Sequence, residues 1–77
     1  MKSFIVNINS IEKVKSFVNT IAKLDGDYDL VSERYVVDAK SIMGIFSLDI
    51  SQDLRLDIHD EANYEAAKLE LKQFIVE

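Results

Sequence analysis

In the run Leu54-Arg55-Leu56-Asp57-Ile58-His59-Asp60, apolar and polar residues alternate strictly as far as His59. Successive side chains of a strand point to opposite faces, so Leu54, Leu56 and Ile58 share one face and Arg55, Asp57 and His59 the other. A strand of this kind needs a covering layer on one side only. That requirement points to an antiparallel or mixed sheet with its helices gathered on one face.

The rest of the chain supplies the cover. Ile11, Val14, Phe17, Val18, Ile21 and Ala22 recur at spacings of three and four, with Glu12, Lys13, Lys15, Ser16 and Asn19 between them. This pattern predicts an amphipathic helix of about 13 residues. Asn9 and Ser10 are both cap candidates, and Glu12, three residues after Asn9, suits a capping box. Leu24-Asp25-Gly26-Asp27 ends the helix. A final helix is expected after Asp60, Glu61 and Asn63. Its apolar face would be Tyr64, Ala67, Leu71, Phe74 and Ile75, backed by Ala66 and Leu69.

Three further strands complete the sheet. Residues 2–8, centred on Phe4-Ile5-Val6, read as a strand with one face well buried. Tyr28–Val31 and Tyr35–Ala39 read as two strands joined by a turn at Ser32-Glu33-Arg34, without the Asn-Gly or Asp-Gly of the tightest hairpins. The order is β-α-β-β-α-β-α, an α+β open-faced two-layer sandwich.

The second helix in that order comes from Lys40-Ser41-Ile42-Met43-Gly44-Ile45-Phe46-Ser47-Leu48. Ser41 is its expected N-cap. Ile42, Met43, Ile45, Phe46 and Leu48 cannot all point inward in so small a two-layer molecule. Met43 and Phe46 either complete the core or form an exposed apolar patch that offers an adaptable side chain and an aromatic anchor to a partner.

Bulk properties exclude several kinds of function. The 77 residues accommodate one domain, residues 1–77. With no cysteine and one histidine there is no thiol chemistry and no histidine-cluster metal site, so no metal or cofactor is expected. Nine basic residues scattered among 14 acidic ones, a net charge of −5, argue against nucleic acid. No stretch approaches the roughly 20 apolar residues of a membrane span, and the N-terminus does not read as a signal peptide. A soluble cytoplasmic protein, monomeric or weakly dimeric, is the expectation.

The Lys40–Leu48 segment resembles the K-S-I-M-G-[VLI]-[ML]-[ST]-L segment of HPr, the small phosphocarrier of the bacterial sugar phosphotransferase system. The element order and the length are also similar to that family's. The resemblance implies a four-stranded antiparallel sheet in spatial order 1-4-2-3 with three helices on one face. It implies a phosphocarrier rather than an enzyme, with protein partners in the phosphotransferase system or its regulation.

The family signature G-[IL]-H-A-R-P at the start of the first helix holds a phosphorylated histidine and an arginine. Counted back from Lys40-Ser41 without a gap, the histidine position falls on Ser10, the arginine position on Glu12 and the proline position on Lys13. Imidazole carries phosphate as a labile phosphoramidate, whereas a serine would form a stable ester and needs a base to activate it. The expectation is a family member that has lost histidine phosphotransfer and acts as a protein-binding or regulatory module. The alternative is a divergent phosphocarrier or serine-phosphorylated regulator, with Ser10 or Ser41 as acceptor. Ser41 matches the serine phosphorylated by a dedicated kinase in Gram-positive family members, with Lys40 adjacent. Met43 and Phe46 match the family's docking patch, and Ile42 is expected to bind the partner with them. The lone His59 is expected at a strand end beside Asp57 and Asp60, at the opposite edge of the sheet from Ser10.

Overall fold

The computed structural model describes residues 2–33 and 35–76. Strand β1 spans Lys2–Val6, helix α1 Ile11–Ile21, β2 Tyr28–Ser32, β3 Tyr35–Asp38, α2 Ile42–Phe46, β4 Leu54–Ile58 and α3 Tyr64–Glu70. Single 3-10 turns at Glu61–Asn63 and Lys72–Phe74 flank α3. The sheet runs β1-β4-β2-β3, every pair antiparallel, and the three helices cover one face. This is the α+β arrangement and strand order that the resemblance implied. Arg34, assigned to the turn between β2 and β3, lies outside the described residues; Glu33 before it has φ +46°.

Strand alternation sorts the side chains as expected. Phe4 and Val6, Tyr28 and Leu30, and Leu54, Leu56 and Ile58 all point toward the helices and are buried. Val14, Phe17 and Ile21 of α1, Ile45 of α2, and Ala67, Leu71 and Phe74 close over them. The Phe17 and Phe74 rings meet edge to face with centroids 5.5 Å apart. Burying one such side chain contributes about 1.5–3 kcal/mol relative to leaving it in water, so this layer carries the fold.

Several expectations are corrected. The first strand stops at Val6; Ile8 is buried but lies outside it. Ile11, the first residue of α1, and Ala22, its C-cap, are exposed. On α3, Ala66 and Leu69 are exposed as well. The final helix does not continue through Phe74 and Ile75. The chain leaves the α conformation at Leu71, turns once through Lys72–Phe74, and becomes extended at Ile75.

That last change adds a rudimentary strand beside β1. Asn7 N–H donates to the Phe74 carbonyl at 2.8 Å and Val76 N–H to the Ile5 carbonyl at 2.9 Å, and Ile75 faces Val6. One edge of the sheet is thereby covered by the chain itself. The other edge, β3, has no strand beyond it among the described residues.

Candidate functional site

The helix starts that the resemblance marks for chemistry and docking are those of α1 and α2. Ser10 precedes α1 with an extended backbone, φ −146° and ψ 158°, and its Oγ accepts the Lys13 N–H at 3.2 Å. Its carbonyl accepts the Val14 N–H at 3.0 Å. Ser10 is therefore the cap, not Asn9, and the expected capping box is absent because the third helical residue is Lys13. Glu12 occupies the second helical position, where its carboxylate complements the positive end of the helix dipole. The Ser10 hydroxyl is engaged with the backbone, and the Glu12 carboxylate stands in the first turn after it.

His59 lies elsewhere. Lys2 pairs with Ile58, so the end of β4 sits beside the beginning of β1, whereas Ser10 follows the other end of β1. At about 3.3 Å per residue the length of β1 separates them by roughly 16 Å. His59 does not pair with Asp57 or Asp60, its sequence neighbours. Its Nε2 lies 2.6 Å from Oδ2 of Asp29 on the adjacent strand β2. The bond to Asp29 raises the imidazole pKa above its ordinary value, and Asp27 and Asp57 act in the same direction.

Ser41 caps α2 as expected, its Oγ accepting the Gly44 N–H at 3.2 Å. Ser47 closes the other end by donating to the Gly44 carbonyl at 2.5 Å. Gly44 allows α2 to lie close to β3: a β-carbon there would come within 3.2 Å of Ser41 Oγ and 3.3 Å of Val37 Cβ. Lys40, next to Ser41 in sequence, has its ammonium 2.8 Å from the Leu24 carbonyl and 5.7 Å from the centre of the Tyr28 ring. It ties the entry of α2 to the turn that follows α1.

The five apolar residues of this segment divide cleanly. Ile45 and Leu48 are buried and Ile42 is half-buried against the core. Met43 is 77% exposed and Phe46 41% exposed. Ile11, 59% exposed at the first helical position of α1, adds a third apolar side chain to the same helical layer, in which α1 and α2 touch. Sequence periodicity had assigned Ile11 to the core; its place at the very start of the helix was the signal against that.

A family model described as the PTS HPr component phosphorylation site matches residues 12–77. The match opens at Glu12, two positions beyond Ser10. Among solved structures, the crystal structure of HPr-C-His from Thermoanaerobacter tengcongensis is similar, with a TM-score of 0.79 at 29% sequence identity. The likeness covers 95% of this chain and 89% of that one. Curated proteins yield no match. With a family model spanning most of its length and the same sheet order, the chain belongs to the HPr family of phosphocarrier proteins.

Proposed function

We propose that this chain is an HPr-family module that no longer carries phosphoryl groups on histidine and works by binding a protein partner, with a regulatory role. The observation that carries this reading is the start of α1. Ser10 stands where the family resemblance puts the phosphohistidine, its hydroxyl caps the helix, and the Glu12 carboxylate follows it. A carboxylate opposes an arriving phosphoryl group. The imidazole of His59 is at the far end of β1, paired with Asp29.

Docking in this reading uses Ile42, Met43 and Phe46 of α2 together with the exposed start of α1. Exposed Met and Phe side chains on a rigid helix supply an adaptable contact and an anchor. The partner is a protein of the phosphotransferase system or of its regulation. Ser41 is the candidate site of control, since a phosphate on its hydroxyl would sit at the N-terminus of the helix that carries Met43 and Phe46, with Lys40 adjacent in sequence.

The test is incubation with the family's enzyme I and phosphoenolpyruvate, followed by intact-mass measurement before and after acid treatment. The expected result is an unmodified chain. An acid-labile phosphate would overturn the reading, and an acid-stable one would move the function to Ser10 or Ser41.

A further inference from the structure

The face of the sheet opposite the helices carries its own pattern. Ile5 pairs with Arg55, Arg55 with Val31, and Val31 with Val36. Val76 N–H bonds to the Ile5 carbonyl, which extends the row by one position. Val76, Ile5, Arg55, Val31 and Val36 therefore stand abreast on the uncovered side. Val36 is 62% exposed, Val76 54% exposed, and Ile5 and Val31 are half-buried by their neighbours.

Arg55 interrupts this row less than its charge suggests. Its Nε and Nη2 bind Asp57 Oδ1 and Oδ2 at 2.8 and 3.1 Å. The guanidinium is bound to Asp57, two residues on along β4, while by register Arg55 itself stands between Ile5 and Val31. The next row along the strands is Asp57, Asp29 and Asp38, again abreast by register. His59 binds Asp29 above them, with Asp27 alongside. On the other flank Asp53 accepts a hydrogen bond from Asn7 at 2.9 Å.

We infer that this open face binds a basic amphipathic helix of a partner protein, lying across the strands along the apolar row. Charge decides the occupant. Acidic residues flank the apolar row on both sides, so the matching surface is an apolar ridge bordered by Lys or Arg. A second copy of the chain would set the acidic row Asp57-Asp29-Asp38 against acidic neighbours, and nucleic acid or an anionic membrane would be repelled. Size also matches. Five positions at about 4.8 Å spacing span about 19 Å, the length of an α-helix of about 13 residues.

This surface is on the opposite side of the sheet from α1 and α2, so its test is independent of the function proposed above. The probe is a 14-residue synthetic helix with leucines on one face and lysines bordering them, titrated into the isotopically labelled chain and followed by NMR. Expected are shifts centred on Ile5, Val31, Val36 and Val76, with affinity falling about tenfold when salt is raised from 0.05 to 0.5 M. V36D and V76D, at opposite ends of the row and both on exposed positions, each weaken binding roughly tenfold and leave the free spectrum otherwise intact. The inference is overturned if the glutamate version of the peptide binds equally well or if shifts are confined to α1 and α2. It is equally overturned if no binding occurs at millimolar peptide, or if concentration-dependent shifts without peptide show that copies of the chain occupy the face.

Discussion

His59 Nε2 and Asp29 Oδ2 lie 2.6 Å apart, joining the residue after β4 to β2 across 30 positions of sequence. The bond to Asp29 lifts the imidazole pKa above its ordinary 6.5, against a smaller opposing effect of desolvation, with Asp27 and Asp57 adding to the rise. A group whose pKa is raised by folding stabilises the native state fully below its unfolded pKa and loses that contribution as pH climbs through the folded value. Stability is therefore expected to fall between about pH 6.5 and the raised pKa of His59. Urea midpoints measured from pH 5.5 to 8.5 should decline for the native chain, and the decline should flatten in H59Q.

Phe17 and Phe46 separate core from surface. Phe17 is fully buried and stacks edge to face on Phe74, so F17A should cost about 3–5 kcal/mol. Phe46 is 41% exposed at the end of α2, and F46A should cost about 1 kcal/mol or less. Chemical denaturation distinguishes them. A cost for F46A comparable to that for F17A would show that Phe46 holds the fold together and would remove it from the docking surface.

Gly26, after α1, has φ +96°, a region that residues with a side chain rarely occupy, and a β-carbon there would run into the Asn63 amide. Both effects act against any substitution. G26A should destabilise by about 1–3 kcal/mol in a thermal or urea melt, although alanine is the better residue by helix propensity.

Restoring the family's residues tests what the start of α1 lacks. In S10H/E12R an imidazole and a guanidinium replace the cap hydroxyl and the carboxylate. The double variant should acquire an acid-labile phosphate from enzyme I and phosphoenolpyruvate while the native chain does not. It should also lose about 1 kcal/mol of stability as the Ser10 cap disappears. Phosphorylation of both chains, or of neither, would contradict the proposal that Ser10 and Glu12 are what silence the site.

Much of this was legible in the sequence because it rests on local periodicity. The alternation of Leu54, Leu56 and Ile58, the spacing of Val14, Phe17 and Ile21, and the cap at Ser41 each express geometry within a few residues. Asn9 and Ser10 stayed open as caps because both residues can accept a backbone hydrogen bond, and only the path of the chain selects Ser10. The final helix was drawn too long because Leu71 and Phe74, three apart, fit an α-helix and a 3-10 turn equally well. Ile75 and Val76 leave the helix to meet β1, a partner about seventy positions away that no periodicity reveals. Separation in sequence, 30 positions in one case, likewise hid the His59–Asp29 pair and the row across the open face.

The strip formed by residues 74–76 beside β1 also bears on the order in which the molecule assembles. β1 pairs with β4 on one side and with that strip on the other, so both of its neighbours are emitted long after it. During synthesis β1 has no strand to bond until the chain has been extended past Ile58, and its outer edge stays bare until Val76 emerges. The β2–β3 hairpin, closed over a few residues, faces no such wait. Loop closure of this length costs entropy before any contact returns it. The segment that leads into Ser10 is thus committed last, and a ribosome-bound chain lacking the strip would display the outer edge of β1 unpaired.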